Sequence, residues 1–333
     1  MRVLVLGGTH FLGRAVVDVA LDEGHDVTLF NRGVTNPELY PGVERLRGNL
    51  ESDLEALRGR RWDAVVDLDP TTLPAAVRRY AELLAVAVEH AVFVSTISVY
   101  ADPSHPLTEE SPVHEPPEPE PDSFQEELYG GLKVGCERAI RDVFGERAAI
   151  VRPGLIAGPN DPTERFTYWV RRLPEGGDVL APGDPDRPVQ LIDARDLGSW
   201  LVAVATRRIS GVFNATGPAE PITLGAWLER MRDAIGTRAR LVWVQDEPIL
   251  AAGVTPWTEL PLWLPGEDHA GLLRADIDHA FREGLTLRPI ETTARDTLAW
   301  SRTVPAQRPT LTRNEERRVL ETMRRDLPSL RKP

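Results

Sequence analysis

Arg2-Val3-Leu4-Val5-Leu6, followed by Gly7-Gly8-Thr9-His10-Phe11-Leu12-Gly13, is the stretch that decides the fold. The apolar run predicts a buried strand, and the stripe of apolar residues over Phe11–Asp22 predicts an amphipathic helix. Glycines between a strand and a helix let a phosphate approach the backbone, while the helix start offers free N–H groups. This placement indicates a dinucleotide-binding turn, although His10 stands where the usual motif has its middle glycine.

Strands alternate with helices through the first half of the chain. Strands are predicted at Arg2–Leu6, Asp26–Phe30, Val43–Arg47, Ala64–Asp67, Ala91–Ser95 and Ala148–Val151, and helices at Phe11–Asp22, Leu73–Val88 and Glu126–Phe144. This alternation predicts an α/β fold with a doubly wound parallel sheet of the Rossmann type. Val212–Asn214 is the candidate for its last strand.

The second half has a different character and predicts a second, smaller C-terminal substrate domain. Residues 1–153 and 188–218 are assigned to the dinucleotide-binding domain, and residues 154–187 and 219–333 to the substrate-binding domain. In the second half we expect helices at Phe166–Leu173, Asp196–Ala205, Thr223–Ala234, Asp276–Glu283 and Glu291–Trp300, a turn-rich segment at Gly176–Pro188 and a strand at Val189–Ile192. Residues 102–122 are rich in glutamate and proline, which predicts an extended exposed loop or a flap over a site.

Composition and charge argue against several kinds of partner and ligand. The 333 residues carry 39 basic and 51 acidic side chains, a net charge of −12. Such a chain repels phosphate backbones, so we expect no nucleic-acid partner. No apolar run reaches the length of a membrane span, and Cys136 is the single cysteine, which fits a cytoplasmic protein. Seven scattered histidines offer no ligand spacing, so no metal site is expected.

The end of the second predicted strand bears on the choice of cofactor. NAD-binding proteins usually carry an acidic residue there to hold the ribose 2′-hydroxyl. Here Phe30 is followed by Asn31-Arg32-Gly33, without a carboxylate. Because Arg32 can pair with a 2′-phosphate, the sequence favours NADP over NAD. Asn49, after the third strand, is a candidate for contact with the adenine edge.

Tyr129 and Lys133 form the candidate catalytic pair. Residues four apart lie on the same face of a helix, so the predicted helix brings a phenol and an ammonium together. A nearby cation favours the phenolate and makes Tyr129 a better group for proton exchange with a substrate oxygen. Hydroxyls after the strand Ala91–Ser95 lie where doubly wound sheets bind ligands; Thr96 is the first candidate to orient that oxygen and Ser95 the second.

These motifs together resemble the extended short-chain dehydrogenase/reductase superfamily, in its NAD-dependent epimerase/dehydratase branch. The resemblance covers about residues 1–300 and includes the atypical GGTxFLG glycine loop. It implies Thr96, Tyr129 and Lys133 as the active-site triplet and a possible homodimer. It also implies a substrate contact at Arg187, because this position in the family often contacts an anionic substrate group. Thr96 and Trp257 are further candidates for contact with the substrate. The implied cofactor-binding residues are Gly7, Gly8, Thr9, His10, Phe11, Leu12, Gly13, Asn31, Arg32, Asn49, Leu68, Ser95 and Lys133.

The sequence also departs from that family. Asp67-Leu68-Asp69-Pro70 stands where the family usually has a His-x-Ala-Ala-like segment, and Leu155 stands where sugar-nucleotide epimerases usually place an asparagine. The glycine loop resembles a branch that includes chloroplast stem-loop RNA-binding proteins. Arg165, Arg171 and Arg172 either face the pocket or form a solvated helix face. Trp257 either walls the pocket or belongs to the core of the small domain.

Three functions follow as hypotheses. The first is an NADP(H)-dependent oxidoreductase that transfers hydride at a ketone or secondary alcohol of a small molecule. The second is a nucleotide-sugar epimerase or dehydratase with retained NAD(P), which would consume no NADPH. The third is a non-catalytic, dinucleotide-dependent RNA or protein binder, against which the negative net charge counts where RNA is concerned.

Overall fold

The structure is a computed structural model, and it describes residues 1–69, 73–218 and 220–326. Pro70 of the segment discussed above lies outside the described residues. So do positions 219 and 327–333 of the predicted substrate-binding domain. Within the described residues, no helix combines the length and the apolar character needed to cross a bilayer.

Thirteen strands and ten α-helices are found in the described residues. The strands are β1 (Arg2–Leu6), β2 (Asp26–Asn31), β3 (Glu44–Arg47), β4 (Trp62–Asp67), β5 (Val88–Val94), β6 (Ala148–Pro153), β7 (Leu155–Ala157), β8 (Asp178–Pro182), β9 (Pro188–Val189), β10 (Leu191–Asp193), β11 (Gly211–Ala215), β12 (Ile222–Thr223) and β13 (Arg240–Val244). The helices are α1 (Phe11–Asp22), α2 (Pro74–Leu84), α3 (Tyr129–Phe144), α4 (Thr167–Arg172), α5 (Ala194–Arg207), α6 (Leu224–Ile235), α7 (Asp246–Ala251), α8 (Asp278–Arg282), α9 (Ile290–Ser301) and α10 (Arg313–Asp326).

The main sheet has seven strands in the order β11-β6-β5-β4-β1-β2-β3. All its neighbouring strands are parallel. Helices cover both faces, with α1 and α5 packed together on one side and α2 and α3 on the other. The predicted doubly wound sheet is therefore confirmed, and Val212–Asn214 lies in its edge strand β11. Strand order reverses between β1 and β4, which is where such sheets bind ligands.

Several element boundaries differ from the sequence prediction. The helix predicted over Leu73–Val88 ends at Leu84, because Val88–Val94 forms a strand between β4 and β6. Hydrogen bonding of this strand to a neighbour on each side outweighs the helical periodicity that its first residues show in the sequence. The strand predicted at Val189–Ile192 is two short strands, β9 and β10, with different partners.

The segment Gly176–Pro188 was predicted as turns but contains the strand β8. This strand pairs in parallel with β13, whose residues lie about sixty positions further along the chain. The prediction was wrong because the partner strand is distant in sequence and gives no local signal. By contrast, α6 begins after Thr223 as predicted, because the Thr223 hydroxyl accepts a hydrogen bond from the amide of Ala226 at 3.2 Å.

A second hydrophobic cluster lies apart from the main sheet. It is assembled from α4, β8, α6, β13, α10 and the loop that follows α7, and three tryptophans are fully buried in it: Trp169, Trp227 and Trp263. Apolar side chains of this size contribute most of the free energy of burial in such a cluster. We call it the second cluster below.

Candidate active site

The glycine loop after β1 is shaped by two close approaches. Gly7 and Gly8 have φ of 104° and 92°, a region that favours glycine. A Cβ on Gly8 would lie 2.7 Å from Cδ2 of Leu29, and one on Gly13 would lie 2.9 Å from Cα of Gly8. Glycine at 13 therefore lets the first turn of α1 pack directly on the loop, so that its free N–H groups face the carboxyl end of β1.

The other residues of the loop have distinct positions. Thr9 is buried, and its hydroxyl donates to the Thr35 carbonyl at 2.8 Å. His10 is exposed, and its carbonyl accepts from the amide of Gly13 at 2.8 Å. Partial burial and the charge of Arg14 lower the pKa of His10, so this ring is neutral near neutral pH. Phe11 is half-buried at the start of α1, and Leu12 packs into the core.

The end of β2 is tied to the glycine loop through Asn31. Its side-chain amide donates to the Gly7 carbonyl at 2.8 Å, and its side-chain oxygen accepts from the amide of Gly33 at 3.0 Å. Arg32 follows and is exposed. These bonds fix the path of the chain beside the loop, with the Arg32 side chain directed away from the core.

Arg47 is a residue that the sequence reasoning missed. It ends β3, opposite Asn31, and its guanidinium lies over Gly33, where a Cβ would occupy the same space. Its Nη1 donates to the Arg32 carbonyl at 3.4 Å. In the described part of the chain, neither Arg32 nor Arg47 is paired with a carboxylate. Two arginines therefore lie side by side at the rim of the glycine loop.

Two further residues of the predicted cofactor set lie near this rim. Leu68 follows β4, and its Cβ lies 3.9 Å from where a Cβ of Gly7 would be. It therefore borders the loop at the switch point between β1 and β4. The side-chain oxygen of Asn49 accepts from the amide of Glu51 at 3.0 Å, and its backbone bridges to Asp53. The oxygen of Asn49 is thus engaged in its own turn, and its amide is the group left for a ligand.

Tyr129 is the first residue of α3 and is half-buried. Its ring meets the edge of the Phe124 ring, with centroids 6.0 Å apart. The two glycines that follow let other chain segments approach: Gly130 lies against the Ser98 carbonyl and His114, and a Cβ on Gly131 would lie 2.8 Å from the Glu115 carbonyl. The start of α3 is therefore held against the end of β5 by residues with no side chain.

The acidic segment 102–122 supplies part of that support. It contains no helix or strand, as predicted, but it is not a detached loop. Leu107 is buried, Glu115 pairs with Arg138 of α3 at 2.9 Å, and the Glu120 carboxylate accepts from the amide of Ala75 at 3.1 Å. The segment is thus fastened to α2 and α3 next to Tyr129.

Lys133 is buried one turn beyond Tyr129. Its ammonium donates to the Val94 carbonyl at 3.0 Å and to the Asp69 carbonyl at 3.5 Å, and it lies 4.1 Å from the centroid of the Phe93 ring. It also interacts electrostatically with the buried carboxyl of Asp67. Because burial raises the pKa of Asp67 to about 6, that group is ionised mainly above this pH.

Thr96 and Ser95 follow β5 but are engaged differently. The Thr96 oxygen accepts from the amide of Ser98 at 3.1 Å, and its O–H has no acceptor within hydrogen-bonding distance among the described residues. The Ser95 hydroxyl donates to Glu137 at 2.5 Å, and Glu137 is held by Arg152 at 2.6 Å. The Thr96 hydroxyl proton is therefore available to a ligand, whereas the Ser95 proton is bonded to Glu137.

A buried polar network continues from this point. Arg152 also donates to the Tyr100 hydroxyl at 3.1 Å, which in turn donates to the side-chain oxygen of Asn214 at 2.7 Å. Sequence reasoning assigned no role to Glu137, although it lies four residues after Lys133 on the same helix face. The network joins β5, β6, β11 and α3 behind the candidate site.

The predicted substrate contacts Arg187 and Trp257 lie beside the second cluster. Arg187 lines a cavity of about 200 Å³. Its guanidinium donates to the Asp246 carboxylate at 2.6 Å and to the Leu264 carbonyl at 2.8 Å. Trp257 is half-buried and lies under the guanidinium of Arg165, whose carbon is 5.0 Å from the ring centroid. Arg187 is therefore paired with the carboxylate of Asp246, whereas Arg165 pairs with no carboxylate among the described residues.

Comparison with known proteins identifies relatives. The model of the NAD dependent epimerase/dehydratase family matches residues 3–215. The epimerase family protein SDR39U1 of Bos taurus is 28% identical over 264 residues, which cover 72% of this chain and 82% of that protein. The 2'-dehydrokanamycin reductase of Streptomyces kanamyceticus is 26% identical over 249 residues, covering 71% of this chain and 67% of the reductase.

Solved structures share the fold. Human SDR39U1 with NADPH superposes with a TM-score of 0.61 at 20% identity, covering 91% of this chain and 100% of that chain. MoeE5 in complex with UDP-glucose and NAD superposes with a TM-score of 0.64 at 20% identity, covering 91% and 99%. At this level of identity the likeness concerns the arrangement of helices and strands.

Proposed function

The chain belongs to the NAD dependent epimerase/dehydratase family, and we propose that it is an NADP(H)-dependent oxidoreductase acting on a ketone or secondary alcohol of a small molecule. The observation that carries the proposal is the pairing of two features at one edge of the sheet. A glycine cradle with no room for side chains lies beside two arginines that pair with no carboxylate among the described residues. This edge fits a dinucleotide that carries an extra phosphate.

The described residues fit such a cofactor in detail. The first turn of α1 would face its diphosphate, Leu68 would border it at the switch point, and Arg32 and Arg47 would hold the 2′-phosphate. The remaining members of the proposed cofactor site are Gly7, Gly8, Thr9, His10, Phe11, Leu12, Gly13, Asn31, Asn49, Ser95 and Lys133. The NADPH bound to the human SDR39U1 structure supports this choice.

Bound NADP(H) supplies or accepts the hydride. In the reducing direction, Tyr129 gives its phenolic proton to the substrate oxygen as the carbonyl carbon is reduced, and the reverse direction returns it. Thr96 donates its free O–H to the same oxygen and orients it. Lys133 stabilises the phenolate form of Tyr129 after proton transfer, because a cation one helical turn away favours this negative charge.

The same proposal assigns cofactor binding and substrate binding to two different parts of the chain. We assign cofactor binding to residues 1–153 and 188–218, and substrate binding to residues 154–187 and 219–333 as far as they are described. The second cluster supports this division, because it buries its own apolar side chains around α4, α6 and β13. Substrate selection would then depend on the loops of that cluster which face Tyr129.

A nucleotide-sugar epimerase with retained cofactor is the second candidate. It is favoured by the family and by the likeness to MoeE5, which binds UDP-glucose and NAD. Two observations favour the oxidoreductase over it. Leu155 stands where an asparagine would hold a diphosphate, and Arg187 is neutralised by Asp246. The name of the Streptomyces reductase also fits net reduction.

The test is turnover of NADPH by the full chain with a panel of ketones and aldehydes. Tyr129→Phe is expected to lower the rate by about 10²–10⁴-fold, the usual contribution of general acid–base catalysis, and to leave NADPH affinity unchanged. Tyr40→Phe, which removes a hydroxyl that donates to Asp18 of α1, is the matched control. Equal rates for the Tyr129 variant and the wild type would refute the role of this phenol. Turnover of UDP-sugars without loss of NADPH would instead establish the epimerase.

A further inference from the structure

We propose that Arg165, stacked on Trp257, binds an anionic group of the substrate, a carboxylate or a phosphate, while the substrate oxygen meets Tyr129. This inference rests on the proposed function and adds a substrate class to it. The substrate would be a ketone or alcohol that carries a negative charge near the reacting carbon.

The first argument is position. Arg165 lies just before α4, and its charge interacts electrostatically with Glu126 and Tyr129, on either side of the start of α3. Tyr129 is half-buried there, with Phe124 at its edge. A substrate held by Arg165 would thus lie beside the phenol.

The second argument is the platform beneath the guanidinium. The carbon of the Arg165 guanidinium lies 5.0 Å from the centroid of the Trp257 ring. The amide of Trp257 donates to the Trp263 carbonyl at 3.1 Å, and Trp263 is anchored in the second cluster by its own N–H on Asp246 at 2.7 Å. A guanidinium that stacks on an aromatic face keeps its N–H groups at its edges, free to bind an anion in two places at once.

The third argument is charge. Neighbouring arginines of the same segment are paired: Arg171 lies 3.7 Å from Glu164, and Arg172 lies 2.9 Å from Glu316. Arg165 has no carboxylate within ion-pair distance among the described residues. Glu164, the neighbour of Arg165 in sequence, lies against Arg171, and Asp161 directs one oxygen to the hydroxyl of Thr163, which donates to it at 2.6 Å.

The surroundings of Arg165 make its charge costly. Burial lowers its pKa, and the positive charge of Arg308 lowers it further, while Asp161, Glu126 and Tyr129 act in the opposite direction. Partly buried charges are stabilised by a partner of opposite sign, and the described residues supply none at contact distance. An anionic substrate would provide that partner.

In this proposal Arg165 binds the anionic substrate group, although the family resemblance implies that Arg187 does so. The arginine expected to meet an anionic substrate group is paired with Asp246 at 2.6 Å, whereas Arg165 is stacked on Trp257 and has no carboxylate at contact distance among the described residues. The pattern favours an anion held by Arg165 near the reacting carbon over one held in the cavity beside Arg187.

The experiment measures binding to the NADP⁺-saturated full chain, so that the 2′-phosphate site is filled and a ketone cannot react. The probes are phenylglyoxylate, its uncharged methyl ester and inorganic phosphate, followed by tryptophan fluorescence. We expect at least one of the two anions to bind saturably. If phenylglyoxylate binds, its affinity should exceed that of the methyl ester by about tenfold or more, because only the carboxylate can form a charge-assisted hydrogen bond. Which anion binds distinguishes a carboxylate from a phosphate substrate.

The variant Arg165→Gln is expected to lose this anion binding, whereas Arg141→Gln, which removes an exposed charge from α3, should keep it. If Arg165→Gln does not fold, Arg165→Lys carries the test, because it keeps the charge, loses the planar fork and should weaken anion binding several-fold. Wild type that binds neither anion, or anion affinity unchanged in the Arg165 variant, overturns the proposal. Failure of the proposed function would appear separately, as failure of the chain to take up NADP⁺ at the loading step.

Discussion

The main sheet and the second cluster are built in different ways. The sheet grows from consecutive strand–helix units, so β1, α1 and β2 are neighbours both in sequence and in space. The second cluster joins segments far apart in the chain: β8 pairs with β13, and Arg172 forms a buried ion pair with Glu316, which lies 144 residues further along. Local sequence patterns therefore indicate the strands and helices of the main sheet, whereas contacts between distant segments hold the second cluster together.

The largest expected effect concerns that buried pair. Arg172 and Glu316 are both at least 95% buried, and the Glu316 carboxylate also accepts from the amide of Leu180 at 2.9 Å. Glu316→Gln leaves the guanidinium of Arg172 buried without a counter-charge. We expect a loss of about 3–5 kcal/mol in the free energy of unfolding, measured in urea at constant pH.

The control for this variant is Glu321→Gln, an exposed carboxylate on the same helix, which should change stability by less than about 0.5 kcal/mol. Equal stabilities of the two variants would show that α10 contributes little to the second cluster. The contrast between the two regions would then lose its energetic basis.

On the sheet side, the matching buried carboxyl is Asp67. Burial raises its pKa from 3.8 to about 6, with Lys133 and the Tyr80 hydroxyl acting against the shift. Between these values the folded protein holds a proton that the unfolded chain has released, so stability falls as pH rises. At 1.36 kcal/mol per unit the fall amounts to roughly 3 kcal/mol.

Urea unfolding of the wild type and of Asp67→Asn over this pH range measures the effect. The variant lacks the titrating group, so the difference in stability between the two proteins should change with pH and become constant above about pH 7. Asp22→Asn, at the end of α1, reports the general effect of removing one negative charge. Parallel pH profiles for the wild type and Asp67→Asn would contradict the shifted pKa.

A smaller effect is expected in the glycine loop. A Cβ on Gly13 would lie 2.9 Å from the backbone of Gly8, so Gly13→Ala must push α1 away from the loop. Overpacking of this kind costs about 1–3 kcal/mol, and we expect the affinity for NADPH to fall correspondingly. Gly42→Ala is the matched control, because no atom lies within 4 Å of its added Cβ. If both variants bound NADPH alike, the cradle would not lie at the cofactor.

The sequence predicts much of the fold and only part of the candidate site. The strand–glycine–helix pattern around Gly13 is local, so it could be identified directly. Arg47 could not be identified from a local pattern, because its contact with Gly33 depends on the strand register that places Arg47 of β3 opposite Asn31 of β2. A register argument applied to β2 and β3 would have found it.

The second cluster and its loops show the same limit of local sequence patterns more strongly. Arg165 meets Trp257 across 92 positions of sequence, through a loop with no helical or strand periodicity. Arg187 was expected to contact substrate, but no local pattern indicated that Asp246 would close on it. Side-chain partners in the second cluster follow from tertiary packing, which the sequence pattern does not encode locally.

Titration of the full chain with NADPH and with NADH tests the central claim most directly. The account predicts tighter binding of NADPH, and a preference reduced by about tenfold or more in each of Arg32→Ala and Arg47→Ala, since each removes a charged contact to the 2′-phosphate but none to NADH. Arg141→Ala should keep the wild-type preference. Equal affinity of the wild type for the two cofactors, or an Arg47 variant that loses NADPH and NADH alike, would contradict it.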